Sequence, residues 1–129
     1  MKIDFHTHTF FSPDGSSPAE EMTEAARKKG IQGLAITDHN EIQGAMIAIE
    51  YAKEKPFLII PGIEVKTNEG DMLGLNVKKN IPKGLSAKET IKKIKEAGGI
   101  AILPHPFGWF QSFQGNLENL MKEIDKMFN

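Results

Sequence analysis

The sequence predicts an α/β fold organised around a parallel β-sheet. Stretches of helical periodicity alternate with four short apolar stretches, which are centred on Ile3, Leu34, Ile59 and Ile102. The strand-to-helix connections are short and the strands are apolar, which is typical of parallel strands with helices packed outside. The chain has 129 residues, and we expect one domain over residues 1–129.

The first predicted strand ends in two histidines. Ile3 and Phe5 alternate with Asp4 and His6, which is the period-2 pattern of a strand. Side chains on a strand repeat every second residue, so His6 and His8 point the same way with Cα atoms roughly 7 Å apart. This stretch alone is explained equally well by a shared metal ion or by ordinary hydrogen-bonded histidines at a strand end.

Two helices and the second strand follow in turn. A helix is expected over residues 18–29, with Ser17 as its N-cap and a proline at its first position. Residues 31–37 predict the next strand. Residues 41–55 carry apolar side chains at helical spacing and predict the second helix.

The third strand begins in a continuous apolar run. Residues 57–60 are all apolar, which indicates a strand buried on both faces. Pro61 and Gly62 are expected to interrupt this strand before the chain becomes extended again. Residues 63–75 contain a polar turn between two short apolar stretches and predict a hairpin.

The last third of the chain predicts one more strand and two helices. Ser86 and Glu89 have the spacing of a capping box, so a helix should begin there. That helix ends at two glycines, and residues 100–103 form an apolar strand after it. A final amphipathic helix is expected over residues 117–128.

Composition excludes several classes of site and partner. The net charge is −1 and there is no cysteine, so neither a thiolate site nor a disulfide can form, and the net charge does not indicate a nucleic-acid partner. No segment resembles a signal peptide, and no apolar run approaches the 18 residues of a membrane span. We therefore expect a cytoplasmic protein that does not contact membranes.

Each predicted parallel strand carries a histidine or a carboxylate at its C-terminal end. In a parallel sheet these ends meet at one edge, where α/β proteins place their functional sites. All four histidines of the chain are found in these positions. The sequence therefore predicts a metal site whose ligands are His6, His8, Asp14, His39, Glu64 and His105.

The ligand types narrow the choice of metal. Imidazole and carboxylate groups without thiolate suit Zn²⁺, Mn²⁺ or Fe²⁺, and six ligands are too many for one catalytic ion. Two or three divalent ions are therefore expected, with Glu64 as the natural bridge. Clustered ions of this kind commonly hydrolyse phosphoesters. Asp4 and Asp38 are candidates for accepting hydrogen bonds that orient the ligands, although Asp38 could instead cap the next helix.

Five short motifs together resemble the polymerase and histidinol phosphatase (PHP) family, in that family's order. They are Asp4-x-His6-x-His8-Thr9, Ser12-x-Asp14-Gly15, Thr37-Asp38-His39-Asn40, Gly62-Ile63-Glu64 and His105-Pro106. The resemblance covers nearly the whole chain and implies a distorted (β/α)₇ TIM-like barrel, a trinuclear metal site and phosphoesterase activity. By position, one ion would be held by His6, His8 and Glu64, a second by Glu64 and His105, and a third by Asp14 and His39.

The chain departs from this family pattern in its length. A full barrel of this type takes about 200 residues or more, and the family's late Asp-x-His motif has no counterpart after His105. We therefore expect the first, N-terminal part of the family's domain, with an incomplete barrel. An open sheet has exposed edges that invite pairing, so a homo-oligomer is also expected.

The resulting functional hypothesis is a metal-dependent phosphoesterase. Its substrate would be a small phosphorylated metabolite, a nucleotide or a nucleic-acid phosphodiester, with Lys66 and Trp109 as candidate contacts to phosphate or substrate. One alternative is a metal-binding protein without activity that acts as a scaffold or regulator. Another is an amidohydrolase-type hydrolase, but that family usually has a bridging lysine where this chain has Glu64.

Overall fold

The structure, a computed structural model, describes residues 1–106, 108 and 112–128. Trp109, Phe107 and Phe110 lie outside the described residues, so the predicted substrate contact of Trp109 is not addressed by the structure. The elements in chain order are β1 (Ile3–Thr7), α1 (Ala19–Lys28), β2 (Gly33–Ile36), α2 (Gln43–Ala52), β3 (Leu58–Thr67), β4 (Gly70–Leu75), α3 (Ala87–Glu96), β5 (Ile100–Ile102) and α4 (Leu117–Phe128).

The five strands form one curled sheet in the order β1-β2-β3-β4-β5. The pairs β1–β2 and β2–β3 are parallel, whereas β3–β4 and β4–β5 are antiparallel. Two reversals restore the original direction, so β5 runs the same way as β1, β2 and β3. The predicted α/β class is confirmed, and the sheet is a half-barrel. The second strand of the predicted hairpin, β4, lies between β3 and β5 and pairs antiparallel with both. The expectation of purely parallel pairing is therefore wrong at this place.

The third strand is continuous through Pro61, contrary to the predicted interruption. Leu58 to Pro61 pair with β2, and Gly62 to Thr67 pair with β4. Proline cannot donate a ladder hydrogen bond, and here it lies at the point where the strand changes partner. The expectation that this strand is buried on both faces is also wrong, since the Leu58 side chain is 43% exposed.

Two hydrophobic cores pack on the sheet. One joins α1 and α2 to the second strand and contains Ala19, Ala26, Leu34, Ile36, Ala45, Ala48 and Phe57. The other lies under α3 and contains Ile63, Val65, Met72, Val77, Ile81, Ala87, Ile91, Ile94 and Leu120. Packing against these cores holds the strands in place. The loops that leave the C-terminal edge of the sheet therefore begin at defined positions.

Helix starts match the sequence predictions only in part. The capping box is confirmed, because the Ser86 side chain accepts a hydrogen bond from the Glu89 backbone and the Glu89 side chain accepts one from the Ser86 backbone. In contrast, α1 has Pro18 at its N-cap, and Ser17 does not cap it. No helix within the described residues has the length and apolar character needed to cross a membrane.

Candidate metal centre

The predicted ligands lie together at the C-terminal edge of the sheet. His6 is in β1 and His8 directly follows it, while a bridge outside the regular strands pairs His39 with Glu64 of β3. His105 follows β5 by three residues. A cavity of about 300 Å³ is lined by His6, His8, Asp14, His39, Glu64 and His105.

Glu64 lies at the centre of this group. The residue is 1% exposed, and its Oε2 is 2.9 Å from His6 Nε2 and 3.0 Å from His8 Nε2. The two Nε2 atoms are 2.9 Å apart. Three such atoms around one point can surround an ion that binds nitrogen and oxygen at about 2.0–2.2 Å.

Asp14 and His39 form a second part of the site. His39 Nε2 is 3.3 Å from Asp14 Oδ2, and His8 Nδ1 is 3.2 Å from Asp14 Oδ1. The Asp14 side chain is 55% exposed, so this part of the cavity opens to solvent. These three residues could hold an ion beside the first.

His105 approaches the other oxygen of Glu64. Its Nε2 is 4.0 Å from Glu64 Oε1, and its side chain is 49% exposed. Glu64 Oε1 is buried and has no hydrogen-bond partner within the described part of the chain. A buried carboxylate oxygen without a partner is costly, and a cation between Glu64 and His105 would satisfy it.

Asp71 is a third acidic candidate ligand, beside Asp14 and Glu64, and the sequence analysis missed it. It is 2% exposed, and its buried Oδ2 accepts no hydrogen bond from the residues that the structure describes. Its carboxylate lies within ligand distance of Glu64 and His39. The sequence interpretation placed this residue in a hairpin turn, but the register pairs it with Lys66. The period-2 pattern of β3 and β4 then places Asp71 on the same face as Glu64.

The pKa values of Glu64 and Asp71 shift in opposite directions. Burial would raise the pKa of Glu64, but hydrogen bonds with His6 and His8 outweigh it and lower that pKa to about 2. Burial and the negative charge of Glu64 raise the pKa of Asp71. Burial lowers the pKa of His8, yet its hydrogen bond to Glu64 and the charge of Asp14 raise the pKa overall. This group of buried carboxylates, with two oxygens that lack hydrogen bonds among the described residues, fits divalent cations.

Asp38 and Asp4 contact the backbone rather than the ligand side chains. Asp38 is fully buried and accepts hydrogen bonds from Thr9 N at 2.5 Å and Thr9 Oγ1 at 2.7 Å. It therefore joins the loop after His8 to the loop that carries His39, and it does not cap α2, which has Ile42 at its N-cap. Asp4 is exposed, and its Oδ1 accepts from the His6 backbone at 3.1 Å.

Ser12 is a second residue that the sequence analysis did not single out. Its buried Oγ accepts from the His39 backbone N at 2.6 Å and lies 3.0 Å from His8 Nδ1. One hydroxyl thus positions two candidate ligands from different strands. Its place in the Ser12-x-Asp14 motif was the available signal.

Lys66 lies two residues after Glu64 on β3 and is exposed. Residues two apart on a strand share a face, so Lys66 is on the ligand side of the sheet. Asn40, beside His39, accepts a hydrogen bond from the Lys66 backbone N at 2.9 Å. The predicted phosphate contact of this lysine is compatible with its position.

Comparisons with known proteins show which family the chain resembles. A family model described as the PHP domain matches residues 4–125. An uncharacterised protein of Methanocaldococcus jannaschii is 44% identical over 117 residues, which cover 83% of this chain and 68% of that protein. A 5′-3′ exoribonuclease of Haemophilus influenzae is 34% identical over 105 residues, but the chain spans only 38% of it.

A solved structure shares the fold. The crystal structure of a proposed metal-dependent phosphoesterase from Bifidobacterium adolescentis superposes with a TM-score of 0.75 at 19% sequence identity. The match covers 97% of this chain and 74% of that one. At this identity the similarity concerns the fold, and it supports the barrel-like curl of the sheet.

Proposed function

The chain belongs to the PHP domain family, and from that premise we propose that it is a metal-dependent phosphoesterase. The observation that carries the proposal is the convergence of all four histidines with Glu64 and Asp14 on one cavity. A relative named as an exoribonuclease supports phosphoester chemistry. The substrate would be a phosphomonoester, or a phosphodiester of a nucleotide or nucleic acid.

The residues divide among two or three ions of Zn²⁺, Mn²⁺ or Fe²⁺. His6, His8 and Glu64 would hold one, Glu64 and His105 a second, and Asp14 and His39 a third. Asp71 lies beside the second and third of these groups. When bound, such ions would lower the pKa of a water molecule and offset the charge of the phosphate.

The chain's own groups prepare this site. The low pKa of Glu64 keeps its carboxylate ionised through the neutral range, so it can bridge cations without losing a proton. Ser12 and Asp38 fix the loops that carry His8 and His39. His105 and Asp14 are about half exposed, which leaves an open side through which a phosphate group can enter.

A scaffold or regulatory role is the second candidate. It is favoured by His105, whose Nε2 is 4.0 Å from Glu64 Oε1 and whose side chain is half exposed. An amidohydrolase-type reaction is less well supported, because among the described residues the lining of the cavity includes no lysine.

The test is hydrolysis of p-nitrophenyl phosphate after metal removal and reloading. Chelator-treated protein should be inactive, and Mn²⁺ or Zn²⁺ should restore activity. Glu64→Gln and His39→Ala should each lower kcat/KM by about 100-fold or more, because each removes a ligand. Glu21→Gln, an exposed acid on α1, is the matched control and should behave as wild type. Stoichiometric metal without hydrolysis would instead favour the scaffold.

A further inference from the structure

We propose that Asn40 is a positioning residue of the metal centre, and that its side chain fixes the backbone of β3 beside Glu64. The inference rests on the proposed function, because it requires that the centre binds metal. Asn40 directly follows His39 in the sequence, and Glu64 is the central carboxylate of the site. A side chain that holds the backbones of these two ligands together would affect metal binding without contacting an ion.

The backbone of Glu64 is bonded to the loop after β2 on both sides of His39. Glu64 N donates to Asp38 O at 3.0 Å, and Asn40 N donates to Glu64 O at 2.8 Å. These two hydrogen bonds form the isolated parallel bridge between His39 and Glu64. The bridge brings the two side chains together, with His39 Nε2 3.6 Å from Glu64 Oε2.

The conformation of Asn40 ends this run of backbone hydrogen bonds. Its φ is 54°, which lies in the left-handed region and does not continue a strand. In a strand, alternate residues direct their N–H and C=O groups to the same neighbour. Lys66 therefore faces the same side as Glu64, one step beyond the last backbone pair, and the acceptor for its N–H is a side chain.

The Asn40 side chain supplies that acceptor. Its Oδ1 accepts a hydrogen bond from Lys66 N at 2.9 Å. Asn40 is thus bonded to β3 twice, through its backbone N–H at position 64 and through its side chain at position 66. On the same side of the strand, Lys66 O accepts from Gly84 N at 2.7 Å. The side chain of Asn40 therefore extends the attachment of β3 past Glu64.

This attachment limits how far the Glu64 carboxylate can move. Glu64 Oε2 lies 2.9 Å from His6 Nε2 and 3.0 Å from His8 Nε2. Imidazole and carboxylate ligands bind ions at about 2.0–2.2 Å and tolerate deviations of only about 0.2 Å. A small shift of β3 against the loop that carries His39 would therefore weaken metal binding.

A simpler explanation of Asn40 is its backbone conformation alone. Asparagine adopts the left-handed region more readily than most residues, and Asn76, outside the site, has a φ of 59°. Glycine adopts this region without steric cost. Asn40→Gly therefore keeps the turn and the backbone bond to Glu64, and it removes only the acceptor of Lys66 N. This substitution separates the two explanations.

The first measurement is metal affinity, by competition with a chromophoric chelator for Zn²⁺ or Mn²⁺. Asn40→Gly should lower the affinity for at least one ion by about tenfold or more, as expected for a group that orients ligands. Wild-type affinity in this variant would overturn the proposal, because conformation alone would then explain Asn40. Wild-type protein that binds neither metal would overturn both this inference and the proposed function.

The second measurement needs no metal. Amide hydrogen exchange in chelator is followed by NMR. In Asn40→Gly the Lys66 amide should exchange about threefold or more faster than in the wild type, because its acceptor is lost. The amide at position 40 should keep its protection. Asn40→Asp retains an acceptor and should restore slow exchange at Lys66. Unchanged exchange of Lys66 in the glycine variant would contradict the proposal.

Asn76→Gly is the matched control. Asn76 follows Leu75, which pairs with Ile100 at the start of β5, so it lies at the edge of the sheet opposite the metal centre. Its φ is also left-handed, and its Nδ2 donates to Gly98 O at 3.2 Å. This variant loses a comparable hydrogen bond and should bind metal as the wild type does.

Equal losses of metal affinity in the two glycine variants would overturn the proposal, since they would indicate a general loosening of the fold. Hydrolysis of p-nitrophenyl phosphate is measured separately on the wild type. If the affinity and exchange results are as expected but no hydrolysis occurs, the result counts against the proposed function alone.

Discussion

Two buried carboxyls share the metal centre, but only one has hydrogen-bonded histidines. Glu64 is hydrogen-bonded to His6 and is close to His8, whereas Asp71 Oδ2 has no hydrogen-bond partner among the described residues. A buried carboxylate oxygen without a hydrogen bond destabilises the metal-free fold. Asp71 would be retained if it helps to bind a cation. Its removal should then weaken metal binding but stabilise the metal-free chain.

We predict that Asp71→Asn weakens metal binding while it stabilises the metal-free chain. The amide keeps the shape but removes the charge, so the affinity of at least one ion should fall by about 10–100-fold. Urea unfolding in chelator should show a free energy of unfolding equal to or above wild type. Competition with a chromophoric chelator measures the affinity.

Asp14→Asn is the comparison for this prediction. Asp14 is 55% exposed, so its loss should weaken metal binding without a gain in metal-free stability. If Asp71→Asn left metal affinity unchanged, Asp71 would be a structural residue rather than a ligand.

The sequence predicted some site residues and missed others for a definite reason. Each predicted histidine lies in the last two residues of a strand or within three residues after it, so its place depends mainly on where that strand ends. Asp71 reaches the site through the register of β3 with β4, where it pairs with Lys66. Ser12 acts through a contact with a backbone N–H, and only its place in the Ser12-x-Asp14 motif pointed to it.

At the scale of elements, the close packing of α2 against the loop after β1 explains why this helix has a glycine at position 44. A Cβ at Gly44 would overlap Asp38 Oδ2 and lie 2.6 Å from Thr9 Oγ1. Those two atoms are hydrogen-bonded to each other at 2.7 Å. The helix can approach the ligand-bearing loops only because this position has no side chain.

Gly44→Ala should therefore destabilise the protein even though alanine favours a helix. Helix propensity alone would stabilise by about 1 kcal/mol, but displacing Asp38 would cost about 1–3 kcal/mol for each buried group left unpaired. We expect a net loss of about 1–2 kcal/mol in the free energy of unfolding, measured in urea by circular dichroism. Gln43→Ala, exposed on the same helix, should change it by no more than about 0.5 kcal/mol. A gain at Gly44 would show that Asp38 is free to move.

The order of the strands shows where sequence periodicity stops being informative. The pattern predicted each strand and the hairpin, because each depends on local alternation. It could not predict that β4 lies between β3 and β5, because the pattern of a hairpin does not show which further strand pairs with it. Pro61 was equally ambiguous, because a missing N–H marks either an interruption or a change of partner.

At the scale of the molecule, the half-barrel has an unpaired edge at β5. This strand pairs only with β4 within the described part of the sheet. Ile100 is 63% exposed and Ile102 is 39% exposed. A cleft of about 500 Å³ beside them is also lined by Leu117 and Met121 of α4. An exposed apolar edge strand is a template for pairing with another chain.

We predict a homodimer in which two β5 edges pair antiparallel about a two-fold axis. Identical edges are self-complementary in that arrangement, and it would cover Ile100 and Ile102 in both copies. Light scattering at high micromolar concentration should give twice the monomer mass. Ile102→Lys should raise the dissociation constant about tenfold or more, equivalent to about 1.4 kcal/mol. Leu58→Lys is the control, because Leu58 is 43% exposed but lies on a strand that is not at an edge. A monomer at every concentration, or equal effects of the two substitutions, would exclude this dimer.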